Sequence, residues 1–312
     1  MTRHYRSASM KTTRRQLFTT ATAAVGGAVL LAACGDDTSE DASDDTSDDK
    51  SDDKSDETGL PPSFIVVQRF PQEPLFVPEV ETRLPVSIPE EQGALLAAGP
   101  ARLDGWIDDS AGGRVAEVVG VLRNDGITAA YWEVRATLAA AGVYTLRFDG
   151  DNGSGASFQV FDPAQVQSPV TGTALAPFDT PTVDDHRGVE PYCSRTEPCP
   201  FHEMTLTAAL ESGKPVIYLV GTPAHCTTGT CGPGLDFLID EGERVGDAVV
   251  IVHADVYADD QATLVAPAVT ALGVGYEPII YFCSADNTIV DRLDGVWDRG
   301  ELRERVERLT VS

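Results

Sequence analysis

The chain has 312 residues, 42% of them hydrophobic, with 49 acidic against 23 basic residues and a formal charge of −26. That length holds two ordinary domains plus tails. A surface so acidic repels nucleic-acid phosphates and anionic lipid headgroups, which sets nucleic-acid binding aside.

Residues 1–34 read as an export signal with a lipidation site. Arg3, Arg6, Lys11, Arg14 and Arg15, with no acid among them, precede an apolar, small-residue run over 17–33. The run is too short, with the wrong flanks, for a stable membrane span. The stretch TRRQLF (13–18) resembles a twin-arginine signal, with Leu17 and Phe18 in swapped order. LAAC (31–34) resembles a bacterial lipobox, in which the cysteine becomes the lipidated first residue. Cys34 is therefore the expected lipid anchor, and two acyl chains suffice for stable attachment. The remainder is expected on the extracytoplasmic face of the cell membrane.

Residues 35–60 form an acidic tether. Ten Asp, two Glu and two Lys fall within 35–58, and 42–57 is four tandem tetrapeptides of the ASDD type. Such a segment cannot bury a core and is expected to be disordered, with a reach of roughly 30 Å as a coil. The five cations of 1–33 and the −10 of the tether leave −21 on 59–312.

Residues 61–165 have the period-two pattern of half-buried antiparallel strands. In YWEVRATL, Trp132, Val134, Ala136 and Leu138 alternate with Glu133, Arg135 and Thr137; GVYTLRFD and SFQVF repeat the pattern. About seven strands in roughly 100 residues predict an immunoglobulin-like sandwich, a spacer or binding module with Trp106 and Trp132 in its core.

Residues 166–204 are a Pro/Thr/Asp-rich connection ending in YCSRTEPCPFHE. The proline-bounded pair Cys193 and Cys199 predicts a structural disulfide. A zinc or copper site using His202 needs more ligands than the local sequence holds, so no metal or cofactor is assigned.

Residues 205–312 change pattern. KPVIYLVG (214–221) and DAVVIVHADVY (247–257) are continuous apolar strands; GPGLDFLIDEGERVG (232–246) is a helix. QATLVAPAVTALGV (261–274) is a helix or broken helix, EPIIYFCS and TIVDRLDG form a hairpin, and DRGELRERVERL is an amphipathic helix. The order βαβαββα predicts a sheet covered on both faces.

With Cys-Gly-Pro at 231–233 between the first strand and its helix, this order resembles the thioredoxin fold over 205–309. The whole layout, including TPTVDD and PCPFHE, is similar to actinobacterial thioredoxin-like lipoproteins with an N-terminal immunoglobulin-like domain. The resemblance implies a cis-proline facing the redox cysteines, for which Pro278 is the candidate. The sequence departs from the usual Cys-x-x-Cys, because Gly234 stands where the second cysteine belongs. The available pair is Cys226 and Cys231, a Cys-x4-Cys loop.

A cysteine at a helix N-terminus has its thiolate stabilised by unpaired N–H groups and the helix dipole. Cys226 is expected to be the more exposed of the two, hence the nucleophile, with Cys231 resolving; the Cys-Gly-Pro match favours the reverse. His225 is placed to help deprotonate its neighbour. Outside the cytoplasm disulfides persist, so the pair reads as redox-active, with a loop-locking disulfide as the competing reading. Cys283 reads as a buried, inert thiol and His253 as a core histidine; His186 and His202 lie in polar loops. The leading function is thiol–disulfide exchange, with protein thiols or disulfides outside the cytoplasm as partners. The alternatives are an atypical peroxiredoxin-like peroxidase, a copper chaperone using His253 or His202, and a non-enzymatic surface binding protein. The peroxidase pattern fails at Pro223 and Leu219, where its Thr or Ser and its proline are missing.

Overall fold

The computed structural model describes residues 59–311. The expected export signal, the expected lipidation site at Cys34 and nearly all of the expected tether lie outside the described residues. No described helix is long and apolar enough to cross a membrane. The described part is mostly β-structure with few helices.

The first seven strands are β1 (Val67–Gln68), β2 (Glu81–Ser87), β3 (Arg102–Asp109), β4 (Arg114–Arg123), β5 (Tyr131–Thr137), β6 (Gly142–Phe148) and β7 (Ala156–Val160). The immunoglobulin-like sandwich is not what forms. All seven strands join one antiparallel sheet in the order β1-β2-β5-β4-β3-β6-β7, rather than two stacked sheets. The sheet rolls until its edges approach. The Gln68 side chain donates to Ser157 O at 2.7 Å, and Phe161 N donates to Phe76 O at 2.7 Å. A twisted sheet of this width buries its apolar face by curling on itself, approaching a barrel. Leu84, Val86, Ile107, Trp132, Val134 and Leu146 fill the inside and are fully buried. Gly99 leaves space for the Trp132 ring, since a Cβ there would lie 2.6 Å from it. Trp106 is a second correction. It is half-buried on the outer face, with the Arg114 guanidinium 4.2 Å above its ring.

The rest of the chain runs α1 (Leu206–Glu211), β8 (Val216–Val220), α2 (Cys231–Val245), β9 (Val250–Ala254), α3 (Pro267–Leu272), β10 (Ile279–Cys283), β11 (Ile289–Asp294) and α4 (Arg299–Val311). The sheet order is β11-β10-β8-β9, with β8 parallel to β9 and the other pairs antiparallel. Every residue of β8 and β10 is buried, because both faces are covered. Ile217, Leu219, Ile280 and Phe282 meet α2 and α4. Val216, Tyr218, Val220 and Tyr281 meet α1 and α3. The expected helix or broken helix over 261–274 is confined to the six residues of α3. Pro267 opens it, leaving Ala266 extended (φ −70°, ψ 149°), and Gly273 closes it in the left-handed region (φ 63°).

Helix α4 also covers the outer face of the first sheet. Arg83 grips Glu301 at 2.7 Å and 2.5 Å, Arg123 forks onto Glu304 at 2.8 Å twice, and Arg305 reaches Glu133 at 2.5 Å. Arg83, Glu133, Glu301 and Arg305 are all buried. Glu133 and Arg135 of β5 therefore face a buried ion network rather than the water that their alternation with Trp132 and Val134 suggested, and only Thr137 at the end of the strand is exposed.

Candidate functional site

The sulfurs of Cys226 and Cys231 are bonded, with their Cα atoms 5.9 Å apart. Cys226 is half-buried in the loop between β8 and α2, whereas Cys231 is 2% exposed. Helix α2 starts at Cys231 itself, one residue earlier than its Gly-Pro signal suggested. Pro233 sits in the first turn, where its missing N–H has no intrahelical partner to lose. Thr230 precedes the helix without a side-chain cap. One of the unpaired amides finds a sulfur instead: Cys231 N donates to Cys226 Sγ at 3.2 Å, and Thr228 Oγ1 lies 3.1 Å from the same sulfur. The helix start thus points its partial positive charge at the accessible cysteine, the arrangement that stabilises a thiolate.

The floor of the site comes from β8 and β10. The Glu277–Pro278 peptide is cis. A Cβ at Gly221 would meet Pro278 Cβ at 3.2 Å and Cys231 Sγ at 3.7 Å, so these three residues pack together. Glu277, an acid that the sequence reading passed over, lies with Oε2 3.6 Å from Cys231 Sγ. Its carboxylate also accepts from Thr222 N. Burial raises the Glu277 carboxyl above its ordinary range, against the pull of the Thr222 hydrogen bonds. The only sequence signal for it was an acid directly before the candidate cis-proline. His225 packs edge-on to the Tyr257 ring at 6.3 Å.

Gly234 explains the missing second cysteine of a Cys-x-x-Cys. A Cβ there would lie 2.7 Å from the Trp297 indole, which is buried between α2 and the start of α4. Cys283 ends β10 in the core, its thiol pushed up to about 12 by burial.

The expected Cys193–Cys199 disulfide is absent: both are free, buried thiols. They converge on the two histidines read from sequence as a core residue and a loop residue. Cys199 Sγ lies 3.4 Å and Cys193 Sγ 4.0 Å from His253 Nδ1, and His202 Nε2 lies 3.2 Å from that same nitrogen. The loop reaches β9 through backbone pairing, since His253 N donates to Phe201 O at 3.1 Å. The ligands that the local sequence lacked therefore arrive from β9. Hydrogen bonding from Cys199, and then from His202 and His253, holds the Cys193 thiol far below its ordinary range despite burial. Burial pushes the adjacent Asp255 carboxyl up to about 6. His186 lies apart, its Nδ1 2.6 Å from Glu190.

No protein family and no curated protein matches the sequence. One similar solved structure is a thiol:disulfide interchange protein, a thioredoxin family protein from Chlorobium tepidum TLS. It shares 12% identity with a TM-score of 0.33, over 46% of this chain and 99% of that one.

Proposed function

We propose that this protein is a thioredoxin-like thiol–disulfide oxidoreductase working through Cys226 and Cys231, held outside the cytoplasm by a lipid on Cys34. One observation carries the reading. A half-exposed sulfur receives the first amide of α2 and is bonded to a buried sulfur beside a buried carboxylate.

In the reducing direction, the Cys226 thiolate attacks one sulfur of a substrate disulfide. The substrate S–S bond breaks, one substrate thiolate leaves, and a mixed disulfide forms. Glu277 takes the Cys231 proton, and the Cys231 thiolate attacks Cys226 Sγ. The second substrate thiolate departs, and the Cys226–Cys231 bond closes as the structure shows it. Two electrons pass from the protein to the substrate, and an external dithiol restores the reduced pair. The reverse sequence oxidises a substrate dithiol.

The test is insulin reduction combined with thiol trapping in defined redox buffers. Cys226→Ser is expected to abolish reduction, and Cys231→Ser to accumulate a mixed disulfide on Cys226. A pair that stays oxidised below about −300 mV would mark it as a structural staple and end the proposal.

A further inference from the structure

The thiol–disulfide reading leaves Cys193, Cys199, His202 and His253 without a task. We propose that these four side chains bind one zinc ion in a closed, tetrahedral, structural site.

The spacing of the ligand atoms matches such an ion. Zinc takes nitrogen at about 2.0–2.1 Å and thiolate sulfur at about 2.3 Å, so tetrahedral ligands stand about 3.3 Å apart for two nitrogens and about 3.5 Å for nitrogen and sulfur. The observed separations are 3.2 Å between His202 Nε2 and His253 Nδ1, and 3.4 Å and 4.0 Å from that Nδ1 to the two sulfurs. All four ligand atoms lie within 4.8 Å of one another.

The surrounding groups orient the ligands. His253 Nε2 lies 2.8 Å from Gly221 O, a carbonyl that can only accept, so Nε2 carries the proton. The Nδ1 lone pair is thereby turned toward the thiols. Asp255 stands behind the same ring, with Oδ1 3.5 Å from Nε2 and Oδ2 held by Ser194 N at 2.7 Å. A metal-bound imidazole whose second N–H is donated to a backbone carbonyl is a usual outer-shell arrangement of such sites.

Burial decides the type of site. Both histidines are 0% exposed, and Cys193 and Cys199 are 3% and 4% exposed. Four protein ligands and no solvent-facing position describe a structural ion rather than a catalytic one, and a thiolate–imidazole set suits zinc over oxygen-seeking cations. Binding releases the remaining thiol protons to solvent and involves no change of oxidation state. The ion would rivet the 193–202 loop to β9.

The full-length protein, isolated under reducing conditions, is the material for the test. One zinc per chain is expected. Replacement by cobalt should give the visible bands of a tetrahedral thiolate site. Zinc should shield Cys193 and Cys199 from alkylation, and chelation should expose them. The Cys226→Ser/Cys231→Ser double variant should retain the ion. Cys199→Ser should weaken binding by more than the roughly 10–100-fold typical of losing an outer-shell partner. If Cys199→Ser does not fold, the alkylation map of the unaltered protein decides alone. Octahedral cobalt, loss of the ion from the double variant, or a Cys193–Cys199 disulfide in place of metal would overturn the proposal.

Discussion

Glu277 sits beside a sulfur yet costs the folded state something. Its carboxyl is raised by burial, so the stability it contributes is complete below its unfolded value and is lost as pH rises through the folded one. Glu277→Gln removes that cost and keeps an oxygen to accept from Thr222 N. The variant should be at least as stable at pH 7 by thermal melting. It should also resolve its mixed disulfide about 10²–10⁴-fold more slowly, if Glu277 is the general base. In the unaltered protein the resolution rate should rise with pH through an inflection above the ordinary carboxylate range, and the Gln variant should lack that inflection. Equal rates in the two proteins would reduce Glu277 to a packing group.

At the scale of elements, α2 and α4 meet at Gly234 and Trp297. Gly234→Ala forces the indole to move and is expected to destabilise by about 1–3 kcal/mol in urea denaturation. Gly234→Cys, which would restore a Cys-x-x-Cys, should cost at least as much. The second element-level link is the loop over 193–202, joined to β9 by backbone pairing and the thiol–imidazole cluster. With zinc at about 100 times its Kd, a site present only in the folded state adds about 2.7 kcal/mol. For a chain of this size that corresponds to a rise in Tm of roughly 4–5 °C. Chelator titration followed by calorimetry checks it.

At the scale of the whole molecule, the rolled sheet and the α/β part share the buried network of Arg83, Glu133, Glu301 and Arg305. Removing one partner strands the others in a dry interface. Glu133→Gln removes a carboxylate that, despite burial, the surrounding arginines hold below its ordinary range. It should therefore cost about 3–5 kcal/mol, and the loss should appear as one cooperative transition for both parts. Two separate transitions would show that the network does not couple them. The proposed lipid anchor acts at this scale too: Cys34→Ser should move the protein from the membrane fraction to the soluble fraction in cells.

Strand and helix positions were legible where apolar periodicity is unambiguous. Leu219 and Phe282 lie in continuous apolar runs, and the order βαβαββα from 214 onward follows from them, whereas the six-residue α1 before it is too short for its periodicity to be read. The cysteine loop was equally visible, because Cys226, Cys231 and the helix start are neighbours in the chain. Three features were not legible, each for a non-local reason. Whether seven strands make one rolled sheet or two stacked ones depends on which edges pair, and alternation is the same in both. The polar face of β5 looked solvent-facing because its partners, Glu301 and Arg305, come some 170 residues later. Cys193 and Cys199 looked like a disulfide because their proximity was the only local information. His253, which turns the pair into a four-ligand cluster, is 54 residues beyond Cys199. Sequence alone determined the strongly periodic strands and the longer helices, and where an accessible thiol meets a helix. Only the tertiary structure decided what surrounds each polar group, because burial, charge pairing and ligand geometry come from residues that folding brings together.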